Sequence, residues 1–150
     1  MENHIVVQGI RDALAIDDDQ LTELLATGGG TVTPEAVARY REPDCSDAQL
    51  LEFLDGLVVW RRGPRTSPAP AEPPAVSNNL VLKKLRVALA LEERDVLRAF
   101  AARGRELSKR ELTPWFRKPG SKHFRACDDD SLALFLSGLS ALGLGKPPPS

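Results

Sequence analysis

The chain has 150 residues, with 20 Lys and Arg set against 21 Asp and Glu for a net charge of −1, a balance that argues against a general polyanion binder. Its apolar residues fall in short amphipathic sets, none approaching the ~18–20 consecutive positions that a membrane span needs. Glu2 near the start, with no basic stretch ahead of an apolar core, argues against a secretory leader, and two cysteines in such a chain read as free thiols in a soluble cytoplasmic protein.

Taken in order, residues 4–15 predict a first helix with Ile5, Val6, Ile10, Ala13 and Leu14 on its apolar stripe and Asn3 as its cap. Asp17 with Gln20 three residues on has capping-box spacing, so a second helix should begin near Asp18, bury Leu21, Leu24 and Leu25, and end at the glycines 28–30. Thr33 then caps a short third helix with Pro34 in its first position, Val37 and Tyr40 inward, and a stop before Pro43. Ser46 and Gln49 cap a fourth, whose face is Leu50, Phe53, Leu54, Leu57 and Val58, closed by Gly63. Five prolines in residues 63–77 exclude helix and ladder and favour an extended linker of ~3.1 Å per residue.

The pattern then starts again. Val81, Leu82, Leu85, Ala88 and Leu89 line one helix, and Val96, Leu97 and Phe100 the next, which ends at Gly104. Ser108 and Glu111 cap a third, carrying Leu112, Trp115 and Phe116, which Pro114 should kink or stop early. Asp128 caps a fourth with Leu132, Phe135, Leu136, Leu139 and Leu142 inward, and the proline-rich residues 146–150 form a frayed tail.

This is a duplication. Asn3, Arg11 and Ala13-Leu14 fall on Asn78, Arg86 and Ala88-Leu89 at an offset of 75 residues. Cys45 and Phe53-Leu54-x-Gly56-Leu57 fall on Cys127 and Phe135-Leu136-x-Gly138-Leu139 at an offset of 82. The expected fold is therefore all-α, a tandem repeat of two small four-helix units spanning residues 1–63 and 78–145, joined by a linker over 64–77. The second and third helices of each unit resemble a helix-turn-helix, with turns about two residues longer than the compact DNA-binding form.

The halves differ in two respects. Residues 1–63 carry five basic and 12 acidic groups, a net of −7, whereas residues 78–150 carry 14 basic and eight acidic, a net of +6. Between proline and cysteine the first half has only Asp44, whereas the second has seven residues, 120–126, reading GSKHFRA. A sign asymmetry of this kind is a cue to interaction, with a polyanion or between the halves.

The run Asn78-Asn79-x-x-Leu82-x-x-Leu85-Arg86-x-Ala88-Leu89, with Phe116-Arg117-Lys118-Pro119-Gly120 and Phe135-Leu136-x-Gly138-Leu139, resembles the YehS-like family of small bacterial proteins with a tandem domain of unknown function. The likeness covers nearly the whole chain apart from linker and tail and is strongest over residues 78–142. In the first half His4 and Gly9 stand where Asn79 and Lys84 stand in the second, and the Phe-Arg-Lys-Pro-Gly run is reduced to Arg41-Glu42-Pro43. The resemblance implies a cytoplasmic, all-helical protein; it implies no activity and no catalytic residue.

No cofactor or catalytic signature appears, and an enzyme is the least supported class. Asp17–Asp19 and Asp128–Asp130 suit the first turns of helices, where the dipole favours acidic groups, better than a metal. His123 and Cys127 make only two metal ligands, too few for a zinc site. Cys45 and Cys127 precede helices, where a thiol can become reactive, but adjacent aspartates oppose a thiolate and a small buried residue is the better reading. The second half groups Arg103, Arg105, Lys109, Arg110, Arg117, Lys118, Lys122 and Arg125 with Trp115, Phe116, His123 and Phe124. Cations attract phosphates and exposed rings stack on unpaired bases. The expected function is a non-catalytic nucleic-acid-binding or regulatory module with Lys109, Arg110, Arg117, Lys118, Lys122, His123 and Arg125 as contacts. The alternative is a protein-interaction or structural adaptor whose acidic and basic halves pair within a chain or between chains, an acidic protein surface or a second copy being the partner.

Overall fold

A computed structural model of the chain describes residues 1–29, 32–64 and 74–143; Gly30, most of the linker and the frayed tail expected at 146–150 lie outside the described residues. Among the described residues the structure is all-helical, with no strand. Eight α-helices follow in order: α1 (Asn3–Leu14), α2 (Asp18–Thr27), α3 (Pro34–Ala38), α4 (Asp47–Arg62), α5 (Asn78–Ala88), α6 (Glu93–Ala101), α7 (Lys109–Leu112) and α8 (Asp129–Leu142). A 3₁₀ turn prolongs α3 over Arg39–Arg41 and another prolongs α7 over Thr113–Phe116.

The caps fall where side-chain chemistry directs them. Asp17, Ser46 and Ser108 each accept from the backbone N–H three residues on, and Gln20, Gln49 and Glu111 return the bond to the capping residue's own N–H. Thr33 and Asp128 cap α3 and α8 in the simpler way. Pro114 acts as expected: α7 stops after Leu112 and the chain tightens into the 3₁₀ turn.

Two expectations for α1 are corrected. Its N-cap is Glu2, without a side-chain bond, and Asn3 is already helical. The Asn3 amide reaches across the fold instead, donating to the Cys45 carbonyl at 3.1 Å and to Asp47 at 2.8 Å, so it ties the start of α1 to the start of α4. The stripe runs through Val6, Val7, Ile10, Ala13 and Leu14, and Ile5 is 49% exposed. Its centre lies one position further along because the packed face is the one α1 turns to α8 and to the 3₁₀ turn after α3.

α2 packs along α4 and α6 along α8, while α1 lies on α8 and α4 on α5. One continuous hydrophobic core results, drawing on both halves and centred on Tyr40, Phe53, Phe100 and Phe135. Gly56 explains the Phe-Leu-x-Gly-Leu spacing: a Cβ there would stand 2.8 Å from the Leu24 carbonyl oxygen, so its absence lets α2 and α4 touch backbone to backbone. Gly138 does the same for α8 against the carbonyl of Ala99 on α6, at still closer range.

Several long-range bonds recur. Asn78 donates to the Cys127 carbonyl at 3.0 Å and to Asp129 at 2.8 Å, as Asn3 does to Cys45 and Asp47. Arg11 Nε donates to the Ile16 carbonyl at 3.1 Å and Arg86 Nε to that of Leu91 at 3.2 Å, each closing the turn after its helix. In both turns an alanine, Ala15 or Ala90, holds a left-handed φ of 56° or 52°.

Candidate functional site

The seven residues that stand in the second half where the first has Asp44 alone belong to a loop, 117–126, closed at its base by one buried side chain. The Asn79 amide donates to the carbonyls of Trp115 at 2.9 Å and Arg125 at 2.8 Å, while its oxygen accepts from the Cys127 N–H at 2.9 Å. A backbone bond from Arg125 N–H to the Pro114 carbonyl, 3.1 Å, closes the same neck. Inside the loop, Ser121 N–H bonds the Lys118 carbonyl and Phe124 N–H that of Ser121, with Gly120 at a φ of +89° making the turn. The loop is long, yet both of its ends are pinned to α5. In the first half His4 occupies the position of Asn79 and there is no loop to hold; its Nδ1 lies 3.3 Å from Glu2 without a hydrogen bond of good geometry.

This framework presents the cations. Lys109, Arg110, Arg117, Lys118, Lys122, His123 and Arg125 are all exposed. Lys109 lies 3.8 Å from Glu93, and none of the other six makes an ion pair with a described residue. Arg105 leaves the cluster: its guanidinium donates to Ser131 Oγ at 2.5 Å and lies over the rings of Phe100 and Trp115, at 5.7 and 5.9 Å. Trp115 is core, its ring 5.7 Å from Phe100. Phe116 and Phe124 are half-buried, which leaves His123 as the exposed ring of the group.

Next to the neck is a cleft of about 210 Å³ lined by Arg86, Glu93, Leu112, Thr113, Phe116 and Arg117. The Arg86 guanidinium sits over the Phe116 ring at 4.9 Å. Glu93 Oε1 is shielded from solvent and lacks a hydrogen-bond partner. In the sequence Asn79 and Arg86 stand out only as family and repeat markers and Glu93 not at all; the available signal is the second asparagine of Asn78-Asn79 where the first half has His4, and a solvated polar residue is the ordinary reading there.

Both thiols are buried and remain protonated at neutral pH. Burial pushes Cys45 up to about 11, with Asp44 and Asp47 adding to it. Burial likewise pushes Cys127 up to about 12, with Asp128 adding more than Arg105 offsets. Among the described residues no three His, Cys, Asp or Glu side chains are grouped to hold a metal, and no helix is long and apolar enough to cross a membrane.

Fold and site together define an all-helical protein that projects a clamped, cation-bearing loop. Comparison with known proteins gives the family. The model of the family described as "Protein of unknown function (DUF1456)" matches residues 78–143. Over 149 residues the chain is 35% identical to "Uncharacterized protein YehS" of Escherichia coli (strain K12), an alignment covering 94% of this chain and 96% of that one. The chain belongs to this YehS-like family of unknown function. No solved structure matches it significantly.

Proposed function

We propose that the chain is a non-catalytic, cytoplasmic nucleic-acid-binding module, built as a tandem of two four-helix units, that grips phosphates with the 117–126 loop and the adjoining surface of α7. The observation that carries this reading is the Asn79 clamp: a loop holding Arg117, Lys118, Lys122 and Arg125 in the open, with no ion pair to a described residue, is pinned at both ends by the three hydrogen bonds of one buried side chain. Unpaired cations on a fixed frame release counterions from a phosphate backbone at small conformational cost. The recurring Asn, Arg and Gly contacts at offsets of 75 and 82 residues support the tandem. Docking in the manner of a helix-turn-helix contributes less, because α3 and α7 have five and four residues, too short to track a groove.

The alternative, pairing of the acidic and basic halves, draws on Lys84 against Asp55 at 2.5 Å; the terminal ammonium against Asp129 at 2.6 Å also joins the halves, but with the cation on the acidic one. Neither pair uses any of the seven exposed residues, so the nucleic-acid reading is preferred. Its test is titration of labelled single-stranded DNA and RNA at several salt concentrations. Affinity should fall steeply with salt, with the slope reduced by roughly one unit for each cation replaced among Arg117, Lys118, Lys122 and Arg125. Absence of binding at low salt would overturn the reading.

A further inference from the structure

The two halves treat one constellation differently. In the first, Arg11 and Arg41 both donate to Asp18 Oδ1, the Arg11 bond being 2.7 Å, and Arg11 is only 7% exposed. The ion triad satisfies itself. Arg86 and Glu93 stand 75 residues beyond Arg11 and Asp18, and Arg117 stands 76 beyond Arg41. Here the triad is open. Neither arginine pairs with Glu93, Arg86 lies over Phe116, Arg117 is exposed, and the cleft of about 210 Å³ separates them. One Glu93 oxygen has no partner and the other is 3.8 Å from Lys109, beyond hydrogen-bond range. A guanidinium that spends its Nε on the Leu91 carbonyl and its face on Phe116, and a carboxylate with one oxygen unpartnered, share one cleft and form a recognition site for complementary groups.

We infer that this cleft recognises a guanine nucleotide. An ionised carboxylate accepts only, and a guanidinium donates only. Along its Watson–Crick edge guanine presents an acceptor, O6, followed by two adjacent donors, N1–H and the exocyclic amine. Arg86 supplies the donor for O6, and Glu93, once its carboxylate turns the shielded Oε1 into the cleft, supplies the paired acceptors for the other two. Adenine and cytosine set a ring acceptor beside their amine, which the carboxylate repels, and uracil offers one donor flanked by two carbonyls. Unstacked bases are held against aromatic rings, and the half-buried Phe116 ring lines the cleft. The 5′ phosphate then falls to Arg117 at the mouth of the cleft. The inference rests on the phosphate-gripping loop for its polymeric source, an unpaired guanine within a strand; a free nucleotide has the same chemistry.

The experiment separates the two sources and the two ideas. Fluorescence anisotropy compares an all-uridine oligonucleotide with one holding a single central guanosine, on the intact chain and on Glu93→Gln. The guanosine strand should bind about tenfold tighter, and Glu93→Gln should make the two strands bind alike. In parallel, guanosine and adenosine monophosphates are titrated while the backbone amides of Thr113 and Arg117 are followed by NMR. Saturable shifts with the guanosine nucleotide alone, lost in Glu93→Gln, support the cleft. Equal binding of both oligonucleotides together with equal response to both nucleotides would overturn it and leave the loop reading standing. Failure of the all-uridine strand to bind at low salt overturns the loop reading instead, and selective shifts with free guanosine monophosphate would then assign the cleft to the free nucleotide.

Discussion

Asn79 holds a place where a polar side chain is worth more buried than exposed. Its three hydrogen bonds use both amide protons and the oxygen, and they join three separate backbone segments around the loop's neck. Alanine there would strand the buried Cys127 N–H and the Trp115 carbonyl, each costing on the order of 1–3 kcal/mol. Asn79→Ala should therefore destabilise the chain by about 2–4 kcal/mol in urea unfolding, with amide exchange accelerating first in residues 117–126. If exchange rises uniformly and the loop is not singled out, Asn79 is an ordinary core residue and not a clamp. The thiols illustrate the opposite balance. Cys45 and Cys127 sit ahead of α4 and α8, but burial and the nearby aspartates hold them protonated, so the positive end of the helix does not activate them. Thiol titration at neutral pH should show both reacting only at the rate of unfolding, and rapid modification of either in the folded chain would contradict this.

Helix spacing follows from two glycines, and the structure ranks them. A methyl group at Gly56 would meet the Leu24 carbonyl oxygen at 2.8 Å, so α2 and α4 would have to part slightly; at Gly138 it would overlap the Ala99 carbonyl outright. Gly56→Ala should cost about 1–3 kcal/mol and Gly138→Ala more, by separation of α8 from α6. Equal effects in denaturant titration would mean that the two helix pairs yield alike. At the N-terminus of α8 the charges set a pH dependence. Asp128 is held below the usual carboxylate range by the Ser131 hydroxyl and then the Ser131 backbone N–H, and Asp129 by the Asn78 amide and then the terminal ammonium. Because their folded values are depressed, their contribution is complete above the ordinary aspartate range and is lost as pH falls through the lowered values. Asp18, depressed by Arg11 and then Arg41, adds in the same sense. Thermal midpoints should stay level near neutrality and drop below about pH 4, less steeply in Asp129→Asn.

Across the whole molecule, what the sequence makes legible is what local chemistry decides. Caps at Asp17, Thr33, Ser46, Ser108 and Asp128, and the stop at Pro114, depend on a few neighbouring residues and stand where they were expected. The misplacements at Asn3 and Ile5 arise where a distant element, α4 for Asn3 and α8 for the α1 face, decides the outcome. The candidate cations were visible because charge needs no partner to be counted; Asn79 and Glu93 were not, because a clamp or an open carboxylate exists only once the chain has folded around it. The same distinction governs stability. α1 lies against α8 and α4 against α5, so each half covers apolar surface that the other cannot cover for itself. Units of about 60 residues sit near the lower limit for an independent core, and every large apolar side chain left uncovered forfeits about 1.5–3 kcal/mol. Residues 1–63 and 78–145 expressed separately should show weak helical circular dichroism and no sharp melt, an equimolar mixture should regain helix, and the intact chain should unfold in one cooperative transition. Two fragments that each melt sharply on their own, or a biphasic melt of the intact chain, would mean that the contacts between halves are incidental and that the basic half can act alone.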